Sequence, residues 1–290
     1  QWDVKLFKEM LSFAGWNLFG GLSNILYTQG LNILLNIFFG PAVNAARGVS
    51  VQVQNAVFQF SHSFQMAVNP QITKSYAGGN LSQMHLLIFS SSKYTVLLLL
   101  LLTTPFFTNA EFILNLWLKN VPEWSEVFVR LMLCITIIDA AANPFMIASA
   151  ATGRIRFYQF VIGGTMLLIV PSAYIALKFG CFPYVVFVVH LIFCLITFVA
   201  RLFIVRSMVH FKILEYVKKY FCRYMLVLIL VFLMALACNT ISERKMVEEL
   251  LIIVGTSAMS LLFCFFIGLS TTERVFVINK VKSLSRRLKW

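Results

Sequence analysis

The sequence predicts an all-α integral membrane protein of about eight transmembrane helices, and three observations carry that expectation. The first is solvent preference: 60% of the residues are hydrophobic, 12% are charged and the mean hydropathy is +0.84, so most of the surface suits lipid rather than water. The second is spacing, because largely apolar runs of roughly 20 residues recur along the chain with short polar breaks between them. The third is the position of charge. The formal net charge of +13 resides mainly in those breaks and in a C-terminal basic stretch, where Lys and Arg meet anionic headgroups. That placement points to membrane lipids as partners and argues against nucleic acid.

Residues 11–39 open the series: they hold Asn, Gly and Gln but no charge, and Gly40-Pro41 supplies a helix stop followed by a turn. The second span is read over 49–68, ended by Asn69-Pro70, and the third over 94–104, ended by Pro105. A soluble connection carrying Lys74, Gly78, Gly79 and Asn80 separates them. Residues 106–126 mix Trp117 and Trp124 with polar groups and predict the longest outward loop, lying at the interface. Spans four to six follow at 127–148, 157–179 and 184–205, with Pro144 and Pro171 interrupting the fourth and fifth. Over 206–223 basic residues alternate with apolar ones, which predicts a linker helix in the headgroup layer. Two further spans, 224–241 and 250–269, joined by a charged loop over 242–249, lead into a basic tail at 270–290.

With the N-terminus placed in the cytoplasm, roughly 17 Lys and Arg fall in inside loops and roughly 5 in outside loops, an asymmetry that one missing or extra span would scramble. Both termini are therefore expected to be cytoplasmic. The six cysteines show no CxxC and no neighbouring His, so they read as small buried hydrophobes and no metal site is expected. GxSxG, HExxH, a DxD-like acidic pair and a Gly-rich phosphate loop are all missing from the sequence, so neither an enzyme nor a cofactor is expected.

On the helical period Asn17, Asn24, Thr28, Asn32 and Asn36 share an arc of roughly 120° on the first span, with Gln29 at its edge. Gln52, Asn55, Gln59, His62 and Ser63 share roughly 100° on the second. Two readings compete. Such groups act as glue between helices, at about 1 kcal/mol or less per pair, or they line a water-filled pathway, which accepts many polar groups without a partner for each. Their number favours the pathway. Arg47, in the turn between these spans, is either a bidentate phosphate ligand or a cap on the first span. Asp139 is the one acid clearly inside a span and Asn143 lies one turn on, so both are candidates for binding a coupling proton or Na⁺, against a structural pairing with a neighbouring helix. His62 is a candidate proton carrier or simply a bonded histidine. His190, Cys194, Thr197 and Arg201 form a further stripe, read as structural, with Arg201 snorkelling to the inner headgroups.

The stretch QGLNILLNIFFGPAVNAARG at 29–48, its continuation QVQNAV at 52–57, and NPQITKSYA at 69–77 resemble the start of the second half of Wzx-type polysaccharide flippases. These belong to the superfamily of MATE carriers and lipid II flippases. The resemblance is specific over 13–79 and rests on span pattern alone afterwards. It implies two six-helix lobes facing each other across a central cavity, with two additional C-terminal helices in some members. On that pattern 1–205 is the second lobe, 206–223 the linker, 224–269 the additional pair and 270–290 the tail. The first lobe of the same protein is then a missing partner, which agrees with a chain that begins at Gln1. The implied activity is translocation of undecaprenyl-diphosphate-linked oligosaccharide across the bacterial inner membrane by alternating access, for O-antigen or other surface polysaccharide. A cation-coupled small-molecule exporter and a non-transporting membrane fragment or scaffold stand as alternatives.

Overall fold

The computed structural model describes residues 3–239 and 246–287, and over these the chain is helical, joined by short turns, with no strand. Helix α1 (Val4–Ala77) carries both of the first two predicted spans and breaks at Gly40, whose φ of 80° and ψ of −174° lie in a region essentially reserved for glycine. The break is a reversal. In a straight helix Thr28 and Arg47 would stand about 28 Å apart, yet the Arg47 guanidinium donates to the Thr28 carbonyl at 2.9 Å and to Asn32 Oδ1 at 3.2 Å. Residues 4–39 and 41–77 therefore form a helical hairpin, each arm about 55 Å long and longer than a hydrocarbon core of about 30 Å. The second arm begins at Pro41 rather than at 49, and it continues through Pro70 to Ala77 before Gly78 and Gly79 turn the chain.

Helix α2 (Leu81–Trp117) is capped by Asn80, whose side chain accepts from the Gln83 amide at 3.0 Å. It passes through Pro105 and kinks at Asn109 (φ −140°, ψ 47°), because Thr104 and Thr108 hydroxyls bond the local carbonyls while neighbouring helices cover the turn. The outward loop expected over 106–126 thus shrinks to 118–124. Helix α3 (Ser125–Ala151) runs through Pro144, which has no amide to offer the Ala140 carbonyl four residues back. Gln65 Nε2 from α1 supplies that donor at 3.0 Å, and Ser92 Oγ from α2 bonds the next carbonyl, Ala141, at 2.9 Å. A proline on α3 thereby selects polar residues on its two neighbours.

The fifth span is split into α4 (Arg156–Leu167) and α5 (Ile169–Lys178), where Pro171 leaves the Leu167 carbonyl without its helical partner. A Cβ on Gly163 would sit 2.9 Å from the Phe19 ring and 3.0 Å from Ser23 Oγ, so glycine is what lets α4 lie against α1. Helix α6 (Val185–Val209) ends at His210 in a left-handed turn. Residues 206–223 do not form a separate helix along the headgroups. They contain this turn, α7 (Ile213–Tyr216) and a π-helical segment, Val217–Phe221, that runs straight into α8 (Cys222–Asn239). The reason is aromatic packing: Phe211 and Tyr216 are buried against Phe89 and Phe145, and the Tyr216 hydroxyl meets Ser92 Oγ at 2.9 Å and the Tyr224 hydroxyl at 2.8 Å.

Helix α9 (Met246–Phe263) continues through a second π-helical segment, Cys264–Gly268, and 242–245 of the predicted charged loop, with Arg244 and Lys245, lie outside the described residues. The tail forms helix α10 (Thr271–Arg287); Lys289 lies outside the described residues. Among the described residues six helices are long and apolar enough to cross a membrane: Leu81–Trp117, Ser125–Ala151, Arg156–Lys178, Val185–Val209, Ile213–Cys238 and Met246–Gly268. The chain is thus an all-α, multi-pass membrane protein. Helix α1 is not among the six because its amides dilute the apolar runs. Helices α2 and α3 form the interior, each 61% buried over its most apolar stretch, whereas the Met246–Gly268 helix is 11% buried and lies at the periphery.

One ion pair fastens that periphery. Lys93, buried in α2, places Nζ 2.7 and 2.6 Å from the two Glu273 oxygens at the start of α10, and Tyr94 donates to the same carboxylate at 2.6 Å. Burial works to raise the Glu273 carboxyl, but hydrogen bonds from Lys93, Tyr94 and Ser270 overcome it and hold the group down to about 2. The carboxylate is therefore ionised throughout the neutral range. Asn109 likewise bonds the Glu249 carboxylate, tying α2 to α9.

Candidate functional site

The amide stripes come out on accessible faces. On the first arm of α1, Ser23, Tyr27, Leu31, Leu34 and Leu35 form the buried side, and Asn17, Asn24 and Asn36 are exposed, with Thr28 and Asn32 half-buried. On the second arm Val53, Val57, Ser61 and Gln65 are buried, and Gln52, Asn55, Gln59, His62 and Ser63 all stand exposed on the other side. Two of these residues do bridge elements: Asn17 Oδ1 accepts from Gln159 at 3.3 Å, and Asn32 Oδ1 accepts from Arg47. Thr28 joins the arms only through its backbone carbonyl, which accepts from Arg47, and no side chain of the others makes an interhelical hydrogen bond among the described residues. A chain that needed these amides as glue would have turned them inward.

Arg47 lies inside the second arm, seven residues past the reversal, and is 9% exposed. Its two terminal nitrogens are engaged within the hairpin and its Nε is buried without a partner, so its place is the hairpin staple rather than the turn. Beside the second arm runs a groove of about 520 Å³ between α1 and α2, lined by Gln52, Val53, Phe60, Phe106 and Trp117 among others. An amide face and an apolar groove thus adjoin at Gln52.

A second constellation is buried. Helix α6 turns His190, Cys194, Thr197 and Arg201 inward, because their spacing keeps them on one face and that face packs on α3 and α4. Arg201 is 8% exposed and does not snorkel; Asp139, Tyr27, Tyr158 and Cys194 lie within electrostatic reach of its guanidinium. Cys194 Sγ donates to Asp139 Oδ1 at 3.3 Å, and the His190 ring packs edge-on against Tyr27, with centroids 5.1 Å apart. Among the described residues His190 Nε2, Tyr158 Oη and Arg201 Nε are buried with no hydrogen-bond partner, and so is Asn143 Oδ1. Each such group costs about 1–3 kcal/mol where water does not reach it.

Asp139 therefore sits at the edge of a charged cluster that joins α1, α3, α4 and α6, and Asn143 lies one turn further along α3. The structure does not bring His62 into it: His62 is exposed on the amide face and its ring packs on Phe58 at 5.9 Å. Sequence reasoning missed Tyr27 and Tyr158, since a tyrosine in an apolar run carries no sign of what its hydroxyl faces. It also placed Lys93 at a span end; the usable signal was a lone lysine in an apolar run together with a glutamate opening the basic tail. Among the described residues no three His, Cys, Asp or Glu side chains are placed to hold a metal ion. In comparison with known proteins, no protein-family model matches the chain, and no curated protein or solved structure matches it significantly.

Proposed function

We propose that the chain is one lobe of a flippase that moves a lipid-linked oligosaccharide, carried on a polyprenyl diphosphate, across the bacterial inner membrane. The observation that carries this reading is the exposed amide face on the two arms of α1, since carboxamides pair with sugar hydroxyls as both donors and acceptors. The apolar groove beside Gln52 suits the hydrocarbon carrier, which needs no polar wall. A second lobe of the same protein, opposite the amide face, closes the pathway. In this account the hairpin arms are the first two of eight spans, both termini are cytoplasmic, and Asp139, with the Arg201 cluster behind it, takes up the coupling ion. The bulk of the lobe moves as a unit between the two access states.

The test is genetic and uses the native host. Replacing Asn36, Asn55 and Gln59 together by Leu leaves the hairpin bonds of Asn32 intact, so protein abundance in the membrane is expected to stay near wild type. Surface polysaccharide is expected to be lost. Normal polysaccharide in that strain overturns the flippase reading, and altered drug sensitivity with normal polysaccharide transfers the amide face to a small-molecule exporter.

A further inference from the structure

The start of α1 and the turn between α3 and α4 meet at one end of the bundle in two adjoining cavities that share Trp16, Arg154 and Arg156. One, of about 590 Å³, has a mixed lining and adds Lys5, Lys8, Glu9 and Phe13; the other, of about 640 Å³, is mainly apolar and adds Phe157 and Phe160. Four cations against one carboxylate leave the first cavity with a charge of 4 − 1 = +3, and no carboxylate stands at ion-pair distance from any of the four among the described residues. The Arg156 guanidinium lies 5.5 Å over the Trp16 ring, which orients its fork. Helix α4 begins at Arg156 with no side chain capping it, so its first-turn amides and positive dipole end add to the same field.

We infer that this double cavity is a binding site for a phosphate group carried on an apolar chain, with the phosphate held by Arg154, Arg156, Lys5 and Lys8 and the chain lying over Phe157 and Phe160. Guanidinium and ammonium groups without partners are matched by a phosphate, which takes bidentate bonds from Arg and a point charge from Lys. Phe157 and Phe160 are each more than 60% exposed and line the apolar cavity together with Arg154 and Arg156. A cationic bowl opening directly onto an apolar one fits an amphiphile better than a free ion. The site adjoins the Asn17 end of the amide face of α1 but uses none of its amides, and it does not depend on what the protein transports; a phospholipid resident there would brace the α1 end against the α3–α4 turn.

The full chain in nanodiscs is the material for the test, with retained lipid read by native mass spectrometry. In mixed phosphatidylglycerol and phosphatidylcholine, the wild type is expected to retain phosphatidylglycerol selectively. Arg154→Gln/Arg156→Gln, at exposed positions, is expected to lower that retention about tenfold, while Lys178→Gln retains it. Unchanged retention in the double variant overturns the site. Inorganic phosphate at millimolar concentration is the second arm: failure to displace the lipid supports the amphiphile, and full displacement overturns the apolar half and leaves a free-phosphate site.

Discussion

Replacing Asp139 by Asn is expected to destabilise the folded chain by roughly 1–3 kcal/mol, because it removes the carboxylate that accepts from Cys194 and stands within electrostatic reach of the buried Arg201 guanidinium. The effect falls on Arg201 rather than on Asp139 itself. Asp139 is half-buried and keeps Cys194 as a hydrogen-bonding neighbour, whereas Arg201 is enclosed by α3, α4 and α6 and its Nε is already unpartnered. The double variant Asp139→Asn/Arg201→Met removes both charges, and it is expected to recover stability to within about 1 kcal/mol of wild type, since no buried cation is then left without a nearby negative charge. Unfolding in detergent, followed by circular dichroism, measures both numbers. A loss below about 1 kcal/mol in the single variant would show that the two groups are not counter-ions. If the cluster takes up a coupling ion, the double variant folds yet loses ion-dependent activity, which separates a functional charge from a structural one.

The second large effect is expected at Gly40. Its φ and ψ are outside the range of any L side chain, so Gly40→Ala should destabilise the chain by about 1–3 kcal/mol although the space around the glycine is open. The hairpin then pays twice, because a straightened α1 also separates Arg47 from Thr28 and Asn32. Gly48 is the control: it lies in the second arm without a positive φ and with open space around it, and Gly48→Ala should be neutral or stabilising by up to about 1 kcal/mol. Equal responses at the two positions would mean that the reversal is not fixed at Gly40.

The parts legible in the sequence are those that local chemistry decides. Gly40-Pro41 marked a stop that is a true reversal, and Gly78-Gly79-Asn80 marked a turn and a cap. The amide period on α1 located a face that does stand exposed. Prolines misled where a neighbour compensates: Pro105 and Pro70 end no helix, and Pro144 is tolerated because Gln65 donates to the carbonyl it orphans, that of Ala140, 75 residues further on. Residues 206–223 read as a surface helix because charge alternates with apolar groups there, and only packing reveals that Phe211 and Tyr216 fill an aromatic core. Arg201 was unreadable for the same reason. Four residues from a basic span end, it has a stem long enough to reach water, and its inward course depends on Asp139 and Tyr158 on other helices.

The claim on which the functional account rests is that the exposed amide face of α1 borders water within the membrane. Single cysteines at Asn36, Asn55 and Gln59, in a chain whose six native cysteines are replaced, test it in reconstituted bilayers. Ile192 and Ile196, exposed on α6, serve as lipid-facing controls. The account predicts that a membrane-impermeant maleimide labels the three α1 positions and leaves the α6 positions unlabelled. Labels at Asn36, Asn55 and Gln59 that are shielded from the maleimide but quenched by a lipid-borne nitroxide would contradict it.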